Sequence, residues 1–504
     1  MKLMHPIEKQ KPELLLVIAS IMGLAVCAIF YSFCEGISGN DFWWHIKVGQ
    51  WIVENGRVPT TDIFSWYGVA NQIPWTAHEW LADVIFYWIY AACGQWGIFL
   101  LSLLSALLLT GLLWKESARH VQRNPLVGGL FFVLFAVVTK VFCYGRPHLF
   151  SYFLLYWELK VLYRFFENPN SKGIYTIPIL TCLWSNLHGG SATLSYVLCG
   201  VFLVVSVLKI SIGIIVPTRL KKRAVIKLVV ITGLSAAAIL VNPVGLEVLL
   251  YPYKSFGDSL QMTMISEWRS PDAKNMGDLI LFLVPAALML LGFFAEGKRI
   301  QMLDLAVMAL LVLLFLRSVR FIMLLYIGAV FCAFPYVPEC RIKPISRKQA
   351  AATAAVVGVC LVMVMGVGVG NLTRNAYDGK LISESMSQEA VTAVKKDSPG
   401  RIFNDYNLGE ALIYNDLPVF FDARADLYAY GNLMADGVSL MLLEQADLDA
   451  GTVYADVEAL VAKYNFDRIL ILKYRPLYAY LISHPETYVP IYEDDTVGYF
   501  SVNK

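Results

Sequence analysis

Ionisable side chains crowd into one stretch of this otherwise apolar chain. It begins Asp41-Phe42-Trp43-Trp44-His45 and continues through Gly56-Arg57-Val58-Pro59-Thr60-Thr61-Asp62. It ends Trp75-Thr76-Ala77-His78-Glu79-Trp80-Leu81-Ala82-Asp83. Asp41 and His45 are one helical turn apart, so a helix would place them on a shared face. A carboxylate there can accept a proton from a hydroxyl or bind a cation. The alternative is a helix N-cap, since Gly39-Asn40-Asp41 also reads as a helix start. His78 and Glu79, with Asp83 a turn further on, suit acid–base or metal-assisted transfer. The alternative there is a solvated helix face. A divalent cation, if one takes part, would fall to Asp41 and Glu79.

A second set of residues suits anion binding. Arg146 and His148 flank Pro147, while Arg317 and Arg320 lie one turn apart. Guanidinium groups grip phosphate oxygens bidentately and stay charged when partly desolvated. The competing reading is snorkelling toward lipid headgroups. His188 precedes Gly189-Gly190, where a backbone can approach a ligand or a neighbouring helix; taken alone it also reads as a hydrogen-bonded structural histidine. Glu267-Trp268-Arg269 reads as an interfacial anchor or as a sugar-stacking site.

The elements that must position these groups are membrane helices. The chain has 504 residues, 57% hydrophobic and 16% charged, where soluble domains carry nearer a quarter charged residues. Apolar runs recur at close to the ~20 residues needed to cross the hydrocarbon core. About eleven spans are expected, at 13–33, 97–114, 126–142, 149–165, 174–188, 190–208, 225–241, 277–295, 301–316, 321–337 and 350–370. The first is long and has no small-residue cleavage site, so it reads as a retained helix rather than a signal peptide. Residues 80–92 read as a helix along the membrane surface, with aromatic side chains at the interface. The nine cysteines show no CxxC or zinc spacing and read as small core residues. A net charge of +2 gives no case for nucleic-acid binding.

Basic residues set the expected orientation. Lys115, Arg119, Arg123, Arg164, Lys172, the 219–227 cluster, Lys298, Arg299 and the 341–348 cluster fall in alternate loops, which places the N-terminus in the cytoplasm. Gly145-Arg146-Pro147-His148, Trp184 to Gly190, Asn242-Pro243-Val244-Gly245, Glu267 and Arg317 to Arg320 then fall at outer helix ends, with the Asp41 loop. Polar groups near hydrocarbon are costly and mark sites or pathways. This organisation gives a helical membrane domain over 1–370, with a large first outer loop at 34–96. A small extracytoplasmic α/β domain follows over 371–504. In that domain 383–396 and 454–464 read as amphipathic helices, and 419–422, 468–473 and 499–502 as strands. Asp422, Arg424 and Asp426 read as a salt-bridged junction.

The first outer loop resembles a bacterial group of multi-pass membrane proteins related to the GT-C glycosyltransferases. That superfamily includes protein O-mannosyltransferases and lipid A aminoarabinose transferases. The likeness continues through Arg146-Pro147-His148, Trp184-Ser185-Asn186-Leu187-His188-Gly189-Gly190, Asn242-Pro243-Val244-Gly245 and Glu267-Trp268. It reaches Ile402-Phe403-Asn404-Asp405-Tyr406 and Phe421-Asp422-Ala423-Arg424-Ala425-Asp426-Leu427-Tyr428. For the bacterial group it covers most of the chain; for characterised GT-C enzymes it is closest at the first span and loop. GT-C enzymes carry an acidic residue in that loop as base or metal ligand, and Asp41 matches it. Some have an acidic pair there, whereas this chain has Asn40 beside Asp41.

The resemblance and the residues together imply an inverting glycosyltransferase in the cell membrane. Its donor would be a polyprenyl-phosphate sugar, and its acceptor an envelope glycan, lipid or protein on the extracytoplasmic face. Asp41 is the expected base, assisted by His78 and Glu79. His45, Arg146, His148, His188, Glu267, Arg317 and Arg320 are the expected substrate-binding residues. A non-catalytic transporter or assembly component for lipid-linked glycans is the alternative, although no internal repeat is visible. A degenerate scaffold whose outer domain carries the function is a third.

Overall fold

The computed structural model describes residues 12–37, 41–208, 210–257, 267–283, 286–287, 290, 299–340, 346–378, 382, 385–443 and 453–503. The chain forms two compact units. The first comprises residues 1–37, 93–256 and 262–381; the second comprises 38–92, 257–261 and 382–504. The Asp41–Asp83 stretch therefore clusters with the C-terminal residues, although some 300 residues separate them in the chain.

Helices dominate the first unit because apolar sequence in lipid must satisfy its backbone internally. They run Pro12–Cys34, Pro125–Phe142, His148–Glu167, Ile177–Leu187, Gly189–Val207, Lys222–Ala238, Leu246–Gly257, Met302–Arg317, Ile322–Cys332 and Arg347–Tyr377. Four described helices are long and apolar enough to cross a membrane: Trp80–Arg123, Pro125–Phe142, Gly189–Val207 and Arg347–Tyr377. The last exposes Val356, Val359, Val362, Met363 and Val367, a surface that suits lipid and not water. Of the expected spans, 277–295 lies partly outside the described residues. Within it, Met276–Asp278 is a helical turn that leads into an i→i+5 turn at Leu279–Leu283.

Residues 80–92 are helical, as the surface-helix reading expected, but they run on into the next expected span. Trp80–Arg123 is two helices joined at Gly94, whose φ of 56° and ψ of −149° lie outside helical space. Glycine adopts that backbone without steric cost. The boundary between the two units falls at the same place.

The second unit has a four-stranded mixed sheet in the order Ile402–Asn404, Arg468–Leu472, Val497–Val502, Tyr488–Glu493. The first pair is parallel, with Ile402 opposite Arg468; the other pairs are antiparallel. The expected helices appear as Gln388–Asp397, capped by Ser387, and Val453–Tyr464. Residues 383–384 of the first expectation lie outside the described residues. One expected strand is absent: 419–422 joins no ladder among the described residues. Its backbone is satisfied by side chains instead. Asn404 Oδ1 accepts from Phe420 N at 2.8 Å, and Asn404 Nδ2 donates to Phe421 O at 2.9 Å. A single bridge pairs Val419 with Ser65.

Candidate functional site

Two separate groups of charged side chains hold the expected site residues, one in each unit.

In the second unit the helix Phe42–Asn55 carries Asp41 at its N-cap and His45 in its first turn. Asp41 stands at the cap position, yet its side chain makes no capping hydrogen bond. The capping alternative thus does not account for this carboxylate. The same helix packs closely against the helix that starts at Trp80, because Gly49 has no Cβ. A Cβ there would collide with the Asp83 carbonyl. That close approach brings His45, one turn earlier, onto Asp83. His45 Nδ1 and Asp83 Oδ1 are 2.6 Å apart, both side chains being buried. His45 Nε2 lies 3.9 Å from Glu79 Oε2, and His78 Nε2 lies 3.7 Å from Glu79 Oε1. His78 Nδ1 is 3.0 Å from the Thr76 carbonyl, which can only accept, so Nδ1 carries the proton. Glu79 thus presents each of its oxygens to one imidazole. His45, His78 and Glu79 come together as a carboxylate–imidazole cluster, in which the Glu79 contacts are charge contacts longer than a hydrogen bond.

Aromatic rings and one arginine lock this group in place. Trp44 lies over His45 with ring centroids 3.7 Å apart, and Trp75 meets Trp44 edge-on at 6.3 Å. Arg424 lies 4.8 Å from the Trp75 ring and 5.1 Å from that of Phe64. Its Nη1 donates to Asp62 Oδ1 at 2.8 Å, and its Nε and Nη2 donate to the two oxygens of Asp422 at 2.8 and 2.7 Å. Asp62 also accepts from Ser65 Oγ and from the backbone N of Phe64 at 3.1 Å. The junction read as salt-bridged does contain the Asp422–Arg424 pair. Its second carboxylate, Asp426, makes no bond to Arg424 among those described.

Asp426 faces His78 electrostatically, while burial raises its pKa. Burial, and then the carboxylates of Asp41, Asp422, Glu410 and Asp426, push the Tyr406 phenol well above its usual range. Tyr406 therefore remains a neutral donor beside Asp41. Sequence reasoning did not single out Tyr406 or Asp62. Nothing in the local sequence ties Asp62 to Arg424, 362 positions away. Asp83 was visible only as a residue one turn beyond Glu79. Among the described residues no three His, Cys, Asp or Glu side chains gather as a metal ion would require.

In the first unit Arg146, Glu267, Tyr144, His148 and Arg320 form the second group. Arg146 Nη1 donates to both Glu267 oxygens, at 2.9 and 2.8 Å, and Tyr144 OH donates to Oε1 at 3.0 Å. The Glu267 backbone carbonyl accepts from Ser318 Oγ at 2.8 Å and from Arg320 N at 3.2 Å. The Arg320 guanidinium lies 6.0 Å from the Trp268 ring. Burial raises the Glu267 pKa, but Arg146 and Arg320 outweigh it and hold the carboxyl down at about 2. His148 Nε2 donates to Phe142 O at 2.7 Å, which leaves Nδ1 buried with no hydrogen-bond partner among the described residues.

His188 belongs to a neighbouring hydroxyl network. Its Nδ1 lies 2.7 Å from both Ser151 Oγ and Ser191 Oγ, and Trp184 Nε1 donates to the same hydroxyls at 2.8 and 2.9 Å. The His148 and His188 rings are 6.4 Å apart. Asn242 Nδ2 ties the next helix end in through the Ser185 carbonyl at 2.6 Å. Arg317 ends its helix with an exposed side chain, and its backbone carbonyl accepts from Ser270 Oγ at 3.4 Å.

No protein-family model matches the chain, and no curated protein matches its sequence. Solved structures do. The oligosaccharyltransferase AglB from Archaeoglobus fulgidus, in complex with an inhibitory peptide and a dolichol-phosphate, superposes with a TM-score of 0.56 at 10% identity. That match covers 93% of this chain and 70% of AglB. An Archaeoglobus fulgidus oligosaccharyltransferase in the apo form gives 0.54 at 12% identity, covering 92% of this chain and 70% of the other. ArnT from Cupriavidus metallidurans bound to undecaprenyl phosphate is a more distant likeness, with a TM-score of 0.47 at 12% identity over 96% of this chain and 97% of ArnT. The fold is thus shared with these archaeal oligosaccharyltransferases.

Proposed function

We propose that the chain is an inverting membrane glycosyltransferase that moves a sugar from a polyprenyl-phosphate donor to a hydroxyl acceptor of the cell envelope. The fold supports a lipid-linked donor, since AglB was captured with a dolichol-phosphate. The observation that carries the reading is the state of Asp41: a helix N-cap residue whose carboxylate is not spent on capping and stands beside a neutral phenol.

On this reading Asp41 accepts the proton of the acceptor hydroxyl as its oxygen attacks the anomeric carbon. The bond to the phosphate oxygen breaks on the opposite side, and the lipid phosphate leaves as an anion that needs no proton. Tyr406 hydrogen-bonds the acceptor, while Glu79, between His45 and His78, helps to orient it. In the first unit, Arg320 and Arg146 are suited to bind a lipid phosphate; His148 and His188 line the same region. Asp41, with the C-terminal residues, faces the extracytoplasmic side.

The test is transfer from polyprenyl-phosphate sugars to membrane extracts by the purified full chain. Asp41→Asn should lower the rate by about 10²–10⁴-fold, the usual contribution of a general base, with expression and insertion unchanged. An unaltered rate in that variant removes Asp41 as the base. A transporter or assembly component would bind the lipid-linked sugar and transfer nothing.

A further inference from the structure

We propose that the loop between the Gly189–Val207 and Lys222–Ala238 helices is a docking surface for anionic phospholipid headgroups. An apolar tip enters the membrane surface, and a basic run beside it binds the lipid phosphates. No step of sugar transfer enters this inference.

The loop is held in a definite shape. Ile212 N donates to Ile215 O at 3.2 Å and Ile215 N donates back to Ile212 O at 2.9 Å. The two bonds close a tight turn at Gly213, whose φ of 54° suits glycine. Ile215–Val216 then pairs in parallel with Ile300–Gln301, and Ile300 N donates to Ile214 O at 2.8 Å. Thr218 Oγ1 adds a bond to Gln301 Oε1 at 3.0 Å. This bonded turn nevertheless leaves Ile212 65% exposed, with Ile210 and Ile214 exposed on either side of it. Apolar side chains fixed outward in this way mark a surface that meets something other than water.

The flanking helices indicate what the tip meets. Val204 and Val207 precede it, and Ile226, Val229 and Val230 follow it, all of them exposed. Gly189–Val207 is long and apolar enough to cross a membrane, so its exposed valines suit hydrocarbon. The isoleucines extend that apolar exposure past the helix end.

Charge completes the match. Arg219, Lys221, Lys222 and Arg223 are exposed, and no carboxylate pairs with them among the described residues. No acidic residue occurs between Glu167 and Glu247. Lys227, one turn further on, is instead engaged within the protein. Its Nζ donates to Pro169 O at 3.0 Å and lies over the Phe165 and Tyr175 rings. Uncompensated cations next to an apolar tip fit a surface with phosphate outside and hydrocarbon within. Orientation by positive charge accounts for the cations but not for the exposed isoleucines. A soluble acidic protein would answer the charge and leave the tip in water.

The test reads lipid at the tip itself. The full chain, with Ile212 replaced by a photoreactive benzophenone amino acid, is irradiated in nanodiscs of equimolar phosphatidylglycerol and phosphatidylcholine. Adducts to phosphatidylglycerol should exceed those to phosphatidylcholine by about fivefold or more, the ratio that ~1 kcal/mol from a basic residue near the surface gives. Arg219→Gln, Lys221→Gln, Lys222→Gln and Arg223→Gln together should bring the ratio to unity. Arg219→Lys, Lys221→Arg, Lys222→Arg and Arg223→Lys together should preserve it, which separates charge from folding. A large excess of inorganic phosphate should leave the ratio unchanged. Equal adducts to the two lipids before any charge is removed, or no lipid adducts, would overturn the proposal. Loss of the ratio with inorganic phosphate would overturn it too, by making the cations a site for free phosphate. Protein adducts in place of lipid adducts, when native membranes are irradiated, would replace the lipid surface with a protein partner.

Discussion

Arg424 and Arg146 are both buried arginines held by carboxylates, yet they sit in different surroundings. Arg424 meets Asp62 and Asp422, each of the three side chains at most 1% exposed, with Phe64 and Trp75 against the guanidinium. Arg146 meets, among the described residues, the Glu267 carboxylate, which is 23% exposed. A sealed ion cluster has no route by which a ligand could replace a partner. Losing one member strands the others away from water, at several kcal/mol. A half-open pair can exchange its anion, and water softens the loss of either partner. Burial of the partner, more than burial of the arginine, separates a clamp from a binding group.

The sharpest way to break this comparison is to remove each arginine in turn. Arg424→Met leaves Asp62 and Asp422 buried without their cation and should cost about 3–5 kcal/mol, read as a drop in the denaturation midpoint of the second unit. Arg424→Lys should not rescue it, because one ammonium cannot reproduce a fork that serves two carboxylates. Arg146→Gln should cost less, roughly 1–2 kcal/mol, since Glu267 can turn to solvent. Equal losses at the two positions would remove the distinction between clamp and binding group.

A second change sharpens it within the second unit. Gly49→Val forces the Phe42–Asn55 helix off Asp83 and should cost about 1–3 kcal/mol by overpacking. It should also part His45 from Asp83, so transfer activity should fall further than stability alone accounts for. Activity that tracks only the folded fraction would mean that the imidazole cluster plays no part in the reaction.

The smallest effect is in pH. The folded-state pKa of Glu267 is depressed to about 2, so the stability it contributes is fully present above the ordinary Glu value of about 4.3. That stability is lost as pH falls through the folded value. The difference in melting temperature between wild type and Glu267→Gln should therefore hold from neutral pH to about 5 and shrink below about 4. A difference that grows on acidification would contradict the ion pair.

Much of the fold was legible because hydrophobic length and period report directly on helices. The runs at 13–33, 126–142, 149–165, 190–208, 301–316 and 350–370 each coincide with a helix. The reading failed where a side chain does the work of backbone, as Asn404 does for the segment expected as a strand at 419–422. It was incomplete at 80–92, where glycine freedom at Gly94 joins two helices into one 44-residue element. The site residues were legible as types. Asp41, His45, His78 and Glu79 stood out because ionisable groups are conspicuous in apolar sequence.

Their partners were not legible. Asp62 meets Arg424 across 362 positions and Arg146 meets Glu267 across 121, and no local pattern encodes contacts of that range. Composition and periodicity by themselves determined that this is a helical membrane protein with charged groups at its helix ends, since lipid admits few other solutions. Only the tertiary structure decided which carboxylate holds which arginine. A pairing at long sequence separation is set by how whole elements pack, here by a missing Cβ at Gly49 and by a loop bonded to a segment far along the chain.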